Sequence, residues 1–280
     1  MEKQYGPAYA RNRGVEVAKG NILFFLDSDV KIYPDTIDKI VNIFNEDPNT
    51  SALFGSYDDQ PEALNFISQY KNLFHHYIHQ TSKEEAVTFW TGCGAIRKEV
   101  FAQMGGFNET YTRPSIEDIE LGNRLYHAGH RIRLVNSIQV THLKKWTFGT
   151  LLLSDIFDRA LPWTYLIVSH RTLPKDLNLR TSARLSTIVI FLSVLMILAS
   201  LIWPHTLWTM ALFVPFLLLL NADLYYFFIR KRDWGFAIRT IPLHWLYFLY
   251  SGLAFGLSLC WYFTLNILKK NKIIHRKNYD

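Results

Sequence analysis

Cysteine is nearly absent from this 280-residue chain, which has only Cys93 and Cys260. The two fall in compositionally different halves, which excludes a disulfide framework and a four-cysteine zinc site. Charge is also scarce. Asp, Glu, Lys and Arg make up 19% of the chain, below the ~25% of an ordinary soluble domain. The opening MEKQYGPAYARNRG has no apolar core and does not read as a signal peptide. No internal repeat or low-complexity tract is visible. What the chain has in abundance is apolar surface, 49% hydrophobic and 15% aromatic, which excludes intrinsic disorder.

The formal charge of +6 is unevenly spread. Residues 1–183 carry 20 Lys/Arg against 21 Asp/Glu, while residues 184–280 carry 10 against 3. The basic excess flanks long uncharged stretches, which points to a lipid bilayer as partner and away from nucleic acid. From Leu185 to Ile229 the only charged side chain is Asp223, and from Thr240 to Leu268 there is none. Residues 185–203 and 207–229 each offer about 20 apolar positions, a match to a hydrocarbon core of ~30 Å. Pro204-His205-Thr206 between them is short enough for a helical hairpin, and 241–268 is a third candidate span. Asp223 is costly within a span, but it lies six residues from Ile229 and is expected near the membrane surface.

Lys/Arg placement sets the expected orientation. Arg171, Lys175, Arg180 and Arg184 precede the first span, and Arg230, Lys231, Arg232 and Arg239 follow the second. This predicts an integral membrane protein with residues 1–145 cytoplasmic. Three spans would then put the basic tail 269–280 outside, against the same rule. Either the tail is an exception, or 241–268 is re-entrant, or another segment crosses. Residues 146–183 read as an interfacial helix ending near Pro162 plus a linker, with Trp146 and Trp163 as interfacial anchors; a plain domain-closing helix is the alternative.

Residues 1–145 alternate strand and helix patterns, so the fold class is α/β followed by an all-α transmembrane region over 184–268. Asn21–Leu26 is a continuous apolar run of the kind buried in a parallel sheet. Asp27-Ser28-Asp29 follows it. Side chains two apart on an extended segment project the same way, so Asp27 and Asp29 offer a hard-oxygen site for Mg2+ or Mn2+ and a diphosphate. The same residues also make Asx-type turns. Ser115-Ile116-Glu117-Asp118 is either a capping-box helix start or the seat of a general base. His142, after the last strand, is either structural or a third metal ligand. His75 and His79 share a helix face at a zinc-site spacing but have no obvious third ligand. Thr91-Gly92-Cys93-Gly94 either lets backbone approach a ligand or makes a tight bend.

Taken together and in order, AYARNRGVEVAKGNILFFLDSDV (8–30), FWTGCGAIRKEVFAQMGGFNE (89–109) and PSIEDIELGNRLYHAGHRIRLVNSIQVTH (114–142) resemble the family-2 glycosyltransferases, inverting enzymes of the Rossmann-like GT-A fold. The resemblance implies that Asp29 coordinates the divalent cation on a nucleotide-diphosphate sugar, with Asp27 assisting through the metal or the donor ribose. It implies that His142 faces the metal or the diphosphate. Arg11 and Asn12 would line the nucleotide side. Gly92, Cys93 and Gly94 would lie beneath donor sugar and acceptor. Asp118 would be the general base, and Glu117 would orient the acceptor. The acceptor is expected to be lipid-linked or a cell-envelope glycan at a bacterial plasma membrane. Family members carry further strand elements before the ARN block, so the nucleotide-binding domain reads as incomplete. The alternative function is a truncated, non-catalytic membrane remnant used for binding or assembly. A transporter would need more spans and more intramembrane polar residues.

Overall fold

A computed structural model describes residues 5–170 and 180–277. The first part is a sheet of six strands: β1 (Ile22–Leu26), β2 (Val30–Ile32), β3 (Thr50–Tyr57), β4 (Glu85–Ala86), β5 (Cys93–Arg97) and β6 (Arg131–His142). Its order is β1-β5-β3-β6-β2, with β4 also on β6. Only β3 and β6 run parallel. The apolar run at 22–26 is therefore not in a parallel pair, as its composition implied. It pairs antiparallel with β5, Leu26 opposite Cys93. Composition reports that both faces of a strand are covered; it carries no information on the direction of the neighbour.

Helices cover both faces of the sheet. On one, α1 (Gly6–Val17), α4 (Lys98–Gln103) and α5 (Glu117–His127) bury Ala8, Val100, Phe101, Leu121 and Leu125 against Leu23, Phe25, Phe54 and Ile132. On the other, α2 (Thr36–Glu46) places Ile40 and Phe44, one turn apart, over Leu53, Ala95 and Val140. A third cluster joins α3 (Phe66–Thr81) to the C-terminal helices through Tyr70, Leu73, Phe74, Leu224, Phe228 and Leu243.

The segment after β6 differs from expectation. It is helical through α6 (Phe148–Leu153), a π-turn (Ser154–Ala160) and α7 (Leu161–His170), running past Pro162 instead of ending there. Trp146 is buried, and its carbonyl accepts from Asn65 Nδ2 at 2.8 Å, so it belongs to the core rather than to a membrane interface. The linker 171–179 lies outside the described residues, as do the last residues of the basic tail. The span expected at 185–203 is α8 (Thr181–Ala199). The stretch 207–229 is not one straight helix: a 3-10 turn (Pro204–Thr209) and α9 (Met210–Leu220) meet α10 (Ala222–Lys231) at a 60° bend. The stretch 241–268 lies within one long helix, α11 (Trp234–Lys277). Among the described residues two helices are long and apolar enough to cross a membrane, or three if the bent pair is one span.

A single glycine sets the approach of α5 to the sheet. A Cβ on Gly122 would lie 2.1 Å from the Phe89 backbone nitrogen and 2.5 Å from the Thr88 carbonyl carbon. Alanine there would raise helix propensity by up to ~1 kcal/mol, but the helix would have to move off the backbone of 88–89, at about 1–3 kcal/mol. Gly122→Ala is therefore expected to lower the thermal midpoint of the detergent-solubilised chain, followed by circular dichroism. A raised midpoint would contradict the close contact.

Candidate active site

Four acids meet at one end of the sheet because of how the strands end. Asp27 follows β1, and Asp29 precedes β2, where Val30 pairs with His142 and Leu143 N–H donates to Asp29 O at 2.8 Å. This register brings His142 Nε2 to 3.7 Å from Asp29 Oδ2. Contact with His142, and next the charge of Lys144, hold the Asp29 carboxyl below the usual carboxylate range against the opposing effect of burial. The His142 ring is buried and stacks on Tyr57 at 4.3 Å, with planes 21° apart. Tyr57 ends β3, carries Trp90 against its edge, and has His75 stacked beyond it.

Arg11, on α1, joins the two remaining sides. Its guanidinium donates to Asp27 Oδ1 and to Glu117 Oε1, both at 2.7 Å. Glu117 is buried and accepts a second bond from the Ser115 N–H at 2.9 Å. Ser115 and Asp118 do not form a capping box: the Ser115 hydroxyl donates to Asp158 O at 2.9 Å. Asp118 instead turns toward the 91–94 bend, where its Oδ2 accepts from Thr91 N–H at 3.1 Å and its Oδ1 from Ile119 N–H at 2.8 Å. Burial, and secondly the charge of Glu117, push the Asp118 carboxyl up to about 6, against the Thr91 N–H and Arg11. Asp118 reaches the same end of the sheet through Thr91, whose neighbour Trp90 packs edge-on against Tyr57 at 4.8 Å.

Several expected roles shift. Asn12 does not line the crevice; its amide accepts from Phe107 N–H and donates to Phe107 O, each at 2.9 Å, and latches α1 to the 106–109 turn. Glu117 is occupied by Arg11 and Ser115 and is a positioning group for its neighbour, not a free acceptor ligand. Cys93 is fully buried in β5, with burial pushing its thiol up to about 12, so it is a packing residue and not part of an exposed loop. Gly92 and Gly94 make room for a side chain: a Cβ on Gly92 would meet the Trp90 ring at 2.1 Å, and one on Gly94 the Trp90 carbonyl oxygen at 2.3 Å. The tight-bend reading of 91–94 is the one realised. Thr91 is the residue of that bend which reaches Asp118.

The expected metal set of Asp27, Asp29 and His142 comes together only in part. Asp29 and His142 are adjacent, but Asp27 is held by Arg11. Among the described residues no three His, Cys, Asp or Glu side chains converge as a preformed cage. The histidines of α3 do not make a zinc site either. His76 Nδ1 donates to Tyr57 O at 2.6 Å, His75 Nε2 accepts from Arg159 at 3.1 Å, and His79 lies against Phe54 and Trp90. Burial pushes the His79 imidazole down to about 3. Tyr57 and Arg159 carried no motif in the sequence, and Thr91 stood out only as part of the 91–94 turn. Their positions follow only from β3 ending beside β6 and from the helical segment folding back over α3.

A profile described as glycosyltransferase like family 2 matches residues 1–154. The pre-mycofactocin glycosyltransferase of Mycobacterium tuberculosis is 30% identical over 153 residues, which is 50% of this chain and 32% of that protein. The chain thus spans about a third of the length of the curated relatives it matches. Among solved structures, the mannosyltransferase PcManGT from Pyrobaculum calidifontis, in complex with GDP-Man and Mn2+, aligns with a TM-score of 0.49 and 15% identity, covering 90% of this chain and 67% of that one. GalNAc-T7 with UDP, GalNAc and Mn2+ aligns with a TM-score of 0.40 and 16% identity, covering 61% and 38%. The profile runs over more than half of the sequence and takes in every element that carries Arg11, Asp27, Asp29, Asp118 and His142, and the chain belongs to the glycosyltransferase-like family 2.

Proposed function

We propose that the chain is an inverting glycosyltransferase that moves a sugar from a nucleotide-diphosphate donor to an acceptor hydroxyl, lipid-linked or part of the cell envelope. The reading is carried by Asp29 and His142 meeting at 3.7 Å beside Tyr57, with Asp118 bonded to Thr91 next to Trp90, which packs on the same tyrosine. We read the protein as integral to a bacterial plasma membrane, with this end of the sheet in the cytoplasm. The hydropathy of α8 and α11, and the basic residues before α8 and after α10, support that location.

Asp118 suits the role of general base. A carboxylate of pKa near 6 is mostly ionised at neutral pH yet more basic than an ordinary aspartate, which favours taking a proton from an acceptor hydroxyl. The Thr91 N–H and hydroxyl fix its orientation, and the residue is only half-buried. Displacement by that hydroxyl on the face opposite the departing diphosphate inverts the anomeric centre. Asp29 and His142 supply one hard oxygen and one nitrogen, a set that suits Mg2+ or Mn2+ when diphosphate oxygens provide the rest. When bound, such an ion neutralises the charge of the leaving diphosphate. With Asp27 held by Arg11, we assign it to the donor ribose rather than to the ion.

Asp118→Asn is expected to lower transfer by about 10²–10⁴-fold, measured as nucleoside diphosphate release with an acceptor present. Donor binding, read by calorimetric titration, should stay within a few-fold of the parent. Retained turnover would remove Asp118 from the role. Because the base must be ionised, kcat/KM should fall as pH drops through about 6 and level off above it. A profile flat down to pH 4.5 would contradict the raised carboxyl. Asp29→Asn and His142→Ala should each weaken Mn2+-dependent binding of a nucleoside diphosphate at least tenfold, a loss comparable to that of an outer metal partner or more. Unchanged binding in both would place the cation elsewhere.

A further inference from the structure

The segment that links sheet and membrane helices touches the loop in front of Asp118, and the reason lies in one residue. Pro162 has no N–H. A regular helix would use that donor for the carbonyl of Asp158, and the π-register would use it for the carbonyl of Phe157. The Leu161 N–H just before it bonds Ile156 O, five residues back. Asp158 O accepts the Ser115 hydroxyl at 2.9 Å, and Phe157 O accepts Arg113 Nη2 at 3.4 Å. Arg113 also lies 3.4 Å from the Asp158 carboxylate. Ser115 N–H in turn holds Glu117, whose other oxygen is on Arg11.

The same π-turn is fixed at its other end by a buried charge. Asp155 Oδ1 accepts from Lys71 Nζ on α3 at 2.5 Å, and Oδ2 accepts from the Tyr250 hydroxyl on α11 at 2.6 Å. Asp155 and Lys71 are both buried, so each needs the other, and Tyr250 completes the carboxylate. One unbroken path of hydrogen bonds and backbone therefore runs from the long membrane-side helix, through Asp155, the π-turn and Ser115, to Glu117 and Asp118.

We propose that Tyr250, Asp155 and the carbonyls left open by Pro162 are a positioning device for the catalytic loop, making α11 a working part of the active site and not only an anchor. This rests on Asp118 being the base. The anchors of the donor's diphosphate, Asp29 and His142, lie outside the path, and Asp27 keeps its own bond to Arg11, so loss of the device should act on turnover and spare donor affinity.

The test uses the full chain in lipid nanodiscs, with Tyr250→Phe, Ser115→Ala, the double variant and Pro162→Ala. Misplacing a catalytic group by about 1 Å can cost up to ~10²-fold, so each single variant is expected to lower kcat roughly tenfold with the donor KM within twofold. The double variant should be no worse than the weaker single one, because both cut one path. Pro162→Ala restores a competing donor and should raise the thermal midpoint while lowering kcat, a combination that general destabilisation does not produce. Wild-type kcat in Tyr250→Phe and Ser115→Ala, effects that multiply in the double variant, or kcat and donor KM moving together would each overturn the proposal. Asp118→Asn measured alongside separates the two readings: if it is active the base assignment fails, and if it is inactive while Tyr250→Phe is normal only the positioning device fails.

Discussion

The Arg11 guanidinium is the contact on which the rest of the site depends. Asp27, Asp29, Glu117 and Asp118 are brought to one end of the sheet by the places where β1, β2 and α5 begin and end. Like charges about 4 Å apart near a protein surface repel by about 4 kcal/mol, so such a cluster needs a cation within it. Arg11 binds Asp27 and Glu117 at equal distance and stands on a separate element, α1, which is itself latched by Asn12 to the 106–109 turn. The pairing also distributes roles. Asp29 finds His142 and is held low; Asp118, buried beside Glu117 and lacking a cation in contact, rises to about 6. Two carboxyls driven apart in this way by their surroundings suit the two roles proposed for them.

Much of this was legible in the sequence, and the limits have physical causes. The order of blocks singled out Asp29, Asp118 and His142, since a polar group after a strand, at a helix start or at a final strand end is a local feature. Register is not local. His142 meets Asp29 only because Val30 pairs with it across β2 and β6, and no pattern within either segment specifies that pairing. Arg11 and Asn12 were read as equals because they are adjacent, yet neighbours on a helix point about 100° apart. One reaches the acids and the other the Phe107 backbone. Glycines were the least decipherable: Gly92 and Gly122 look alike in sequence, but one accommodates the Trp90 ring and the other the backbone of a neighbouring segment.

Hydropathy was informative about composition and silent about packing. The stretch 207–229 is apolar apart from Thr209, Asn221 and Asp223, yet bends by 60° where Asn221 turns its amide to Ser186 Oγ and Leu217 O. The bend takes α10 away from a straight crossing and lays it on α3, so that Lys231 meets Asp59 at 2.6 Å and Arg232 Nε meets Gln69 Oε1 at 2.8 Å. Basic residues that read as flanking charges at a membrane face are thus also the dock to the sheet domain. Asp223, in the first turn of α10, is exposed, in keeping with a place near the surface.

The same argument bears on α11. Between Trp234 and Tyr250 this helix gives its inner face to the sheet domain: Ala237 and Leu243 enter the cluster around Tyr70 and Phe228, His244 Nδ1 lies 3.0 Å from the Tyr70 hydroxyl, and Tyr250 closes on Asp155. Seventeen residues rise about 25 Å, close to the thickness of a hydrocarbon core, and they are committed on one side to protein. A helix used in this way cannot be assigned a crossing from hydropathy alone. Part of its apolar composition serves α3 and α10 and is not free to report on lipid. Tyr250 donating to Asp155 fixes its register against the π-turn, because sliding by one turn would leave one oxygen of a buried carboxylate without its donor.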